Sequence, residues 1–274
     1  TAAAIGLLAR GGGMAVVAAA NGAAHPLAGG VDADPAAELL ETGCTAIRDF
    51  LPAGLFAALK AAAERALDTD SGEPARLSPD GCDPGEETAL HRVLPGAALG
   101  EQARRLAADP RLARLSRHVV GRPPDPESLA LRLAVAGDVP ELAALQPSVH
   151  RDSFHPAFRF WLTLAPVGAA EGPLLYVPGT HRPDAARLDW EQRIADRLAC
   201  LQGWAPNKAG NFRLTDAELE SLGAREKRVF QVPENTLVAF DTLGFHGRAR
   251  GLPGARFLAV EGASAPAPFS PFPG

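Results

Sequence analysis

Lysine is scarce in this 274-residue chain: Lys60, Lys208 and Lys227 are its only lysines, so nearly all of the 27 basic residues are arginine. With the abundance of alanine, this bias reads as the coding preference of a GC-rich, bacterial genome and carries no functional information. Cysteine is equally sparse. Cys44, Cys82 and Cys200 are far apart and form no CxxC pair, which excludes a disulfide framework and a thiolate zinc site and fits a reducing cytoplasm, the expected compartment. Long apolar runs are missing too: none approaches the roughly 20 residues needed to cross a bilayer, so no membrane association is expected. The run Met14-Ala-Val-Val-Ala-Ala-Ala is short and has no basic stretch immediately before it, which argues against a secretory signal. A net charge of −5 offers no basic face, and nucleic acid is not an expected partner.

What is present suits one large globular domain with a sizeable core, at 46% hydrophobic and 22% charged residues. Residues 1–40, rich in Ala and Gly, read as a loosely attached arm, and 41–274 as a single domain. Residues 44–50 read as a short strand, and Pro52 opens a helix to about Leu67 on the apolar stripe Leu55, Leu59 and Ala62. Gly, Pro and Asp make 70–96 mostly loop, with short helices at 99–108 and 110–119. From Leu129 the pattern turns to strands: 129–135, 158–164, 174–177, 236–240 and 256–260, each bounded by Gly or Pro. Helical insertions are expected at 184–202 and 215–222, the second opened by a Thr215/Glu218 capping box. Helices followed by many short strands predict a mainly β fold. The expected core is a double-stranded β-helix (jelly roll) with helices packed outside.

Of seven histidines, His150 stands out by its neighbour, because His150-Arg151-Asp152 places an imidazole and a carboxylate two residues apart. On extended backbone, residues i and i+2 project to the same side, so both can reach one metal ion. Alone the pair is a weak signal that unrelated chains share by chance. A second histidine from a distant strand would complete a 2-His-1-carboxylate facial triad, which leaves three positions open on the metal. His246 is the candidate, at the end of Thr236-Leu-Val-Ala-Phe-Asp-Thr-Leu-Gly-Phe-His246. The Leu252-Pro253-Gly254 turn is expected to fold the following strand back as a hairpin-like pair, bringing Arg256 to the site. A guanidinium fork there suits a carboxylate.

These residues carry a resemblance. His150-Arg-Asp152 is followed by Ser-Phe-His-Pro and a strand with Trp161; then come Glu171-Gly-Pro-Leu-Leu-Tyr-Val-Pro-Gly-Thr-His-Arg182, Gly244-Phe-His246 and the trailing Arg256. With the entry segment Gly43-Cys-Thr-Ala-Ile-Arg-Asp-Phe-Leu-Pro52, this order over roughly 40–270 resembles the phytanoyl-CoA dioxygenase-like branch of the Fe(II)/2-oxoglutarate oxygenases. The resemblance implies that His150, Asp152 and His246 ligate Fe(II) and that Arg256 pairs with the distal carboxylate of 2-oxoglutarate. It also implies that O₂ is the oxidant and that Trp161 and Thr163, on one strand face with Arg159, line the cosubstrate pocket. His181 becomes a turn residue of the scaffold, and His155 a substrate contact or a loop residue. Some relatives carry a small hydroxyl residue two positions after the distal histidine, where this chain has Arg248; Arg248 and Arg250 therefore compete with Arg256 as the anchor.

The reaction implied is oxidative decarboxylation of 2-oxoglutarate coupled to hydroxylation, or a related C–H oxidation, of a small molecule. Related halogenases replace the carboxylate with a small residue, so Asp152 favours oxygenation. Arg151, Arg159, Arg182, Arg248 and Arg250 near the motif blocks favour an anionic substrate, and a bacterial biosynthetic tailoring role is the preferred setting. The rival readings are a non-catalytic cupin-type binding protein and a zinc hydrolase on the same ligands. The second gives no role to Arg256 or to the Gly-Pro-Leu…Pro-Gly-Thr-His-Arg block.

Overall fold

The structure, a computed structural model, describes residues 34–72, 75–76, 89–137, 149–152, 155–199, 212–223 and 227–265. The expected arm over 1–40 falls mostly outside them, but its last residues begin an ordered element. Helix α1 (Pro35–Thr42) is capped by the Asp34 carboxylate, which accepts from Ala36 N–H, and has Pro35 in its first turn. Gly43, at φ +84°, ends it in the left-handed conformation that glycine adopts without strain. Leu39 of α1 is buried in the core, so this stretch is anchored rather than loose.

Strand β1 (Cys44–Ile47) follows, and helix α2 (Ala53–Thr69) starts directly after Pro52, burying Phe56, Leu59, Ala62, Ala63 and Ala66. Next come β2 (Ala75–Arg76) and β3 (Ala89–Pro95), inside the stretch expected to be loop. No periodicity marks β3; it is a strand because β4 (Ala130–Ala136) offers it an edge, in register from Ala89↔Ala136 to Pro95↔Ala130. Between them lie α3 (Glu101–Ala107) and α4 (Pro110–Val120), the latter capped by Asp109 and ended by left-handed Gly121. The remaining elements are β5 (Val149–Arg151), β6 (Phe158–Thr163), β7 (Leu174–Tyr176), α5 (Ala185–Ala199), β8 (Phe212–Leu214), α6 (Asp216–Ser221), β9 (Arg228–Val229), β10 (Leu237–Asp241), β11 (His246–Arg248) and β12 (Arg256–Ser264). Both bonds of the expected Thr215/Glu218 capping box form at the start of α6.

The strands make two antiparallel sheets, of seven in the order β1-β10-β6-β12-β4-β3-β2 and of five in the order β8-β5-β11-β7-β9. Strand alternation sorts their side chains into three apolar layers. Phe158, Phe160, Leu162, Leu237, Ala239 and Val260 leave the large sheet on its outer face and meet α1–α4. Trp161, Val238, Phe240, Phe257 and Ala259 leave it on the inner face, against Leu174 and Tyr176 of the small sheet. Val149, Leu175 and Val229 project from the back of the small sheet onto Trp190 of α5 and Leu219 of α6.

Strand β11 pairs with β5 and β7, whereas β12 pairs with β4 and β6. The expected hairpin between β11 and β12 therefore does not form. The turn at Leu252–Ala255 exists, with Ala255 N–H donating to Leu252 O, but the chain between the two strands crosses from one sheet to the other. Among the described residues no helix is long and apolar enough to cross a membrane.

Candidate metal centre

His150 and His246 face each other directly across the antiparallel β5–β11 pair, with ring centroids 4.7 Å apart. Asp152 lies one residue past the end of β5, where its N–H donates to Thr242 O. Strand parity sends His150 and Asp152 to one side and the intervening Arg151 to the other. Asp152 Oδ1 is 3.3 Å from His150 Nε2 and 3.5 Å from His246 Nε2, and one ligand atom from each residue falls within a 4.8 Å set. Ligands about 2.1 Å from a metal and at right angles stand about 3 Å apart, so the three residues fit a single ion with little adjustment.

The electrostatics prepare the same outcome. Burial alone would raise the Asp152 carboxyl, but the His246 ring and the His150 and His246 hydrogen bonds outweigh it and hold Asp152 well below the usual carboxylate range. Arg159, on the inner face of β6, adds its guanidinium 3.5 Å from the other oxygen, Oδ2. His246 is oriented from behind. Its Nδ1 donates to Gly244 O at 2.8 Å, which puts the hydrogen on that nitrogen. Its Nε2 is buried beside the Asp152 carboxylate and is the nitrogen left to face a metal ion.

Behind His246 the chain is tightly packed. Tyr176 stacks at 6.5 Å from the His246 ring and donates its hydroxyl to Asp241 O at 2.9 Å. A Cβ at Gly244 would stand 1.9 Å from that hydroxyl oxygen, and one at Gly43 2.3 Å from it. Gly244 is thus glycine because Tyr176 fills the space. Neighbouring Cys44 stays a thiol, since burial pushes it up to about 11.

The expected pocket residues divide. Trp161 stands on the inner face, 7% exposed, edge-on to Phe240 and Phe257, with its indole N–H unpaired. The Thr163 hydroxyl is engaged within the fold: it donates to Pro233 O and accepts from Thr236 N–H. Arg256 stands apart from the three candidate ligands. It is the exposed first residue of β12, on the face shared with Leu258 and Val260, while Phe257 and Ala259 point inward. The metal ligands and Arg256 therefore lie on opposite sides of the large sheet. Arg248 instead leaves β11 on the same side as His246. Its Nε and Nη2 donate to Gly172 O and Glu171 O, and its guanidinium lies 4.3 Å from the Phe257 ring centroid and 6.0 Å from that of Trp161. Arg250, the other alternative, lies partly buried on the crossing segment.

His181 donates through Nε2 to Leu40 O, tying the Pro-Gly-Thr-His-Arg turn to α1 as scaffold, and burial lowers its pKa. His155 lies in the loop before β6, its Nδ1 3.1 Å from Pro156 O. Sequence reasoning passed over Glu191, Tyr176 and Arg213. Arg213 had a readable signal only through pairing, since it stands directly opposite His150 in the β5–β8 register.

Two histidines and a carboxylate brought within reach of one position are a donor set able to hold a metal ion, and the set that mononuclear non-haem iron oxygenases use. Comparison with known proteins agrees. The family model for phytanoyl-CoA dioxygenase (PhyH) matches residues 39–221, and the chain belongs to that family of iron- and 2-oxoglutarate-dependent enzymes. Among solved structures, the epimerase SnoN with Fe³⁺, α-ketoglutarate and nogalamycin RO superposes at TM-score 0.54 with 22% identity, covering 85% of this chain and 82% of that one. HygX from Streptomyces hygroscopicus with nickel and 2-oxoglutarate gives 0.53 at 16% identity, covering 89% and 90%. The carbocyclase SnoK from nogalamycin biosynthesis gives 0.51 at 18%, covering 85% and 83%. HygX is also solved with hygromycin B bound. No curated protein matches the chain in a sequence search.

Proposed function

We propose that this protein is an Fe(II)/2-oxoglutarate-dependent oxygenase on a double-stranded β-helix core, and that it oxidises a C–H bond of a small molecule in a bacterial biosynthetic pathway. The convergence of His150, Asp152 and His246 on one metal position carries the reading. Bound there, iron supplies the activation of O₂ that couples decarboxylation of 2-oxoglutarate to succinate with oxidation of the substrate. The chain's own contribution is geometry and environment. Asp152 enters as an ionised ligand, and Gly244 O fixes the His246 tautomer so that Nε2 faces the metal.

Arg248 is the proposed partner of the distal 2-oxoglutarate carboxylate, in place of Arg256. Two backbone carbonyls and the Phe257 ring hold its guanidinium between the sheets, two residues from His246, and the buried indole N–H of Trp161 is a second donor nearby. The apolar cluster of Trp161, Phe240 and Phe257 beside it lowers the local dielectric, which strengthens an ionic contact there. The substrate is a small and anionic molecule: Arg159 beside Asp152 and Arg213 opposite His150 give the mouth of the site its charge. An intact carboxylate ligand at Asp152 favours oxygenation over halogenation. The likeness to SnoN with nogalamycin RO, SnoK of nogalamycin biosynthesis and HygX with hygromycin B supports a tailoring role.

The test is anaerobic addition of ferrous iron and 2-oxoglutarate, followed by admission of air. The reading expects a visible metal-to-ligand charge-transfer band that needs both components, and succinate after oxygen enters. Absence of both, with the protein folded, would leave a binding protein.

A further inference from the structure

The residue between the two ligands of β5 is a fully buried arginine. Arg151, 0% exposed, projects from the back of the small sheet towards α5, where its Nε donates to Glu191 Oε1 at 2.7 Å. The same oxygen accepts from Arg187 Nε at 3.0 Å, one turn earlier on α5. Arg187 is itself buried, and its other nitrogens donate to Thr180 O and to Leu243 O, the second at 2.7 Å. Its guanidinium also lies 4.1 Å from the centroid of Phe245, the residue before His246. The Thr180 hydroxyl meanwhile accepts from Phe245 N–H at 2.8 Å.

One carboxylate on α5 therefore reaches both ligand-bearing segments. Through Arg151 it holds the strand that supplies His150 and Asp152. Through Arg187 it holds the Leu243–Phe245 turn that supplies His246. Two buried guanidinia on one carboxylate that is only 12% exposed form a costly arrangement that apolar packing would replace at little loss, so stability alone does not account for it. What the ionic group adds over apolar packing is direction: hydrogen bonds fix the spacing of the two segments, and the ligand set depends on that spacing.

We infer that Glu191 is a positioning residue for the metal centre, setting the distance between His150 and Asp152 on one side and His246 on the other through Arg151 and Arg187. This rests on the reading of the triad as a metal site and extends it to a helix that carries no ligand.

The experiment is calorimetric titration of the whole protein with Mn(II) and Co(II), which reads the site without 2-oxoglutarate, oxygen or substrate. Glu191→Gln keeps the shape and removes the charge that both arginines face. The expected result is a metal Kd weakened about 10–100-fold in protein that still unfolds cooperatively, the range typical of losing an outer-shell partner. Altered visible bands of the Co(II) complex would report changed ligand geometry. Trp190→Phe is the packing control on the same helix: it gives up the long indole contact to Glu218 and is expected to lower Tm with little change in Kd. If Glu191→Gln does not fold, Arg187→Lys keeps the charge and shortens the reach to Leu243 O, and a weakening of several-fold is expected. Unchanged metal Kd and Co(II) bands in the folded variants overturn the inference. Tight metal binding by the parent protein without any succinate would instead defeat the proposed reaction and leave this inference standing.

Discussion

His246 and Arg248 leave strand β11 on the same face, two residues apart, so the proposed distal metal ligand and a guanidinium face the same space between the sheets. Arg256 does not join them, because Phe257 takes the inward position at the start of β12. Arg248→Ala is therefore expected to raise the 2-oxoglutarate requirement about 10–100-fold, the value of one or two charge-assisted hydrogen bonds at roughly 1.5–3 kcal/mol in total. Metal affinity should change far less. Arg256→Ala should leave both within about two-fold, since the residue is exposed on the other face. Isothermal titration of 2-oxoglutarate into the metal-loaded protein decides between them; a large effect of Arg256→Ala would restore the original assignment.

Asp152 is the one carboxylate of the ligand set and lies within 3.5 Å of both imidazole Nε2 atoms. Asp152→Ala leaves two histidines facing each other with no anionic ligand. It is expected to abolish metal-dependent succinate formation and to weaken metal binding by at least about 100-fold. Near-normal turnover in this variant would remove Asp152 from the triad.

Tyr176 and Gly244 are mutually constrained. Gly244→Ala drives a methyl group into the Tyr176 hydroxyl and is expected to cost about 1–3 kcal/mol, or roughly 2–4 °C in Tm per kcal/mol. Tyr176→Phe alone should cost about 1 kcal/mol through the lost bond to Asp241 O. Combined, the two changes should cost less than their sum, because removing the hydroxyl relieves the shorter of two clashes and leaves only the ring carbon Cζ, at 2.5 Å. Thermal unfolding of the three variants measures this coupling, and strict additivity would contradict it.

His181 predicts a pH effect. Burial depresses its pKa in the folded protein, with the hydrogen bond to Leu40 O and Asp241 opposing and Arg182 and Arg187 reinforcing the depression. A histidine depressed on folding contributes stability that is fully present above its unfolded value of about 6.5 and is lost as pH falls through the folded value. Replacing it with Asn should therefore flatten the decline in unfolding free energy below about pH 6.5. Denaturant melts at pH 7.5 and 5.5 compare the two proteins; an equal decline in both would refute the assignment.

Much of this was readable without coordinates. His150 and Asp152 share a side by the two-residue parity of extended chain, and the order of the motif blocks supplied His246. Helix α2 announced itself by Pro52 and its apolar stripe, and α6 by Thr215 and Glu218. The same parity, applied to His246 and Arg248, also put the guanidinium beside the metal ligand. Spacing favours Arg256 only along a β11–β12 hairpin, and those two strands join different sheets. Strand β3 was missed for a related reason: Ala89–Pro95 has no alternation of its own and becomes a strand by occupying the free edge of β4.

By itself, then, the sequence determined what is local: caps and stripes, the parity that aims His150 and Asp152 at one point, and the residue chemistry of a facial metal site. Tertiary structure alone decided what depends on which sheet a strand joins. The crossing between β11 and β12 turned Arg256 outward, and the packing of α5 on the small sheet brought Glu191 to Arg151 and Arg187. Side-chain direction repeats along a strand and can be read from spacing. It is reset wherever the chain passes from one sheet to another, and that passage is set by long-range pairing that no local pattern records.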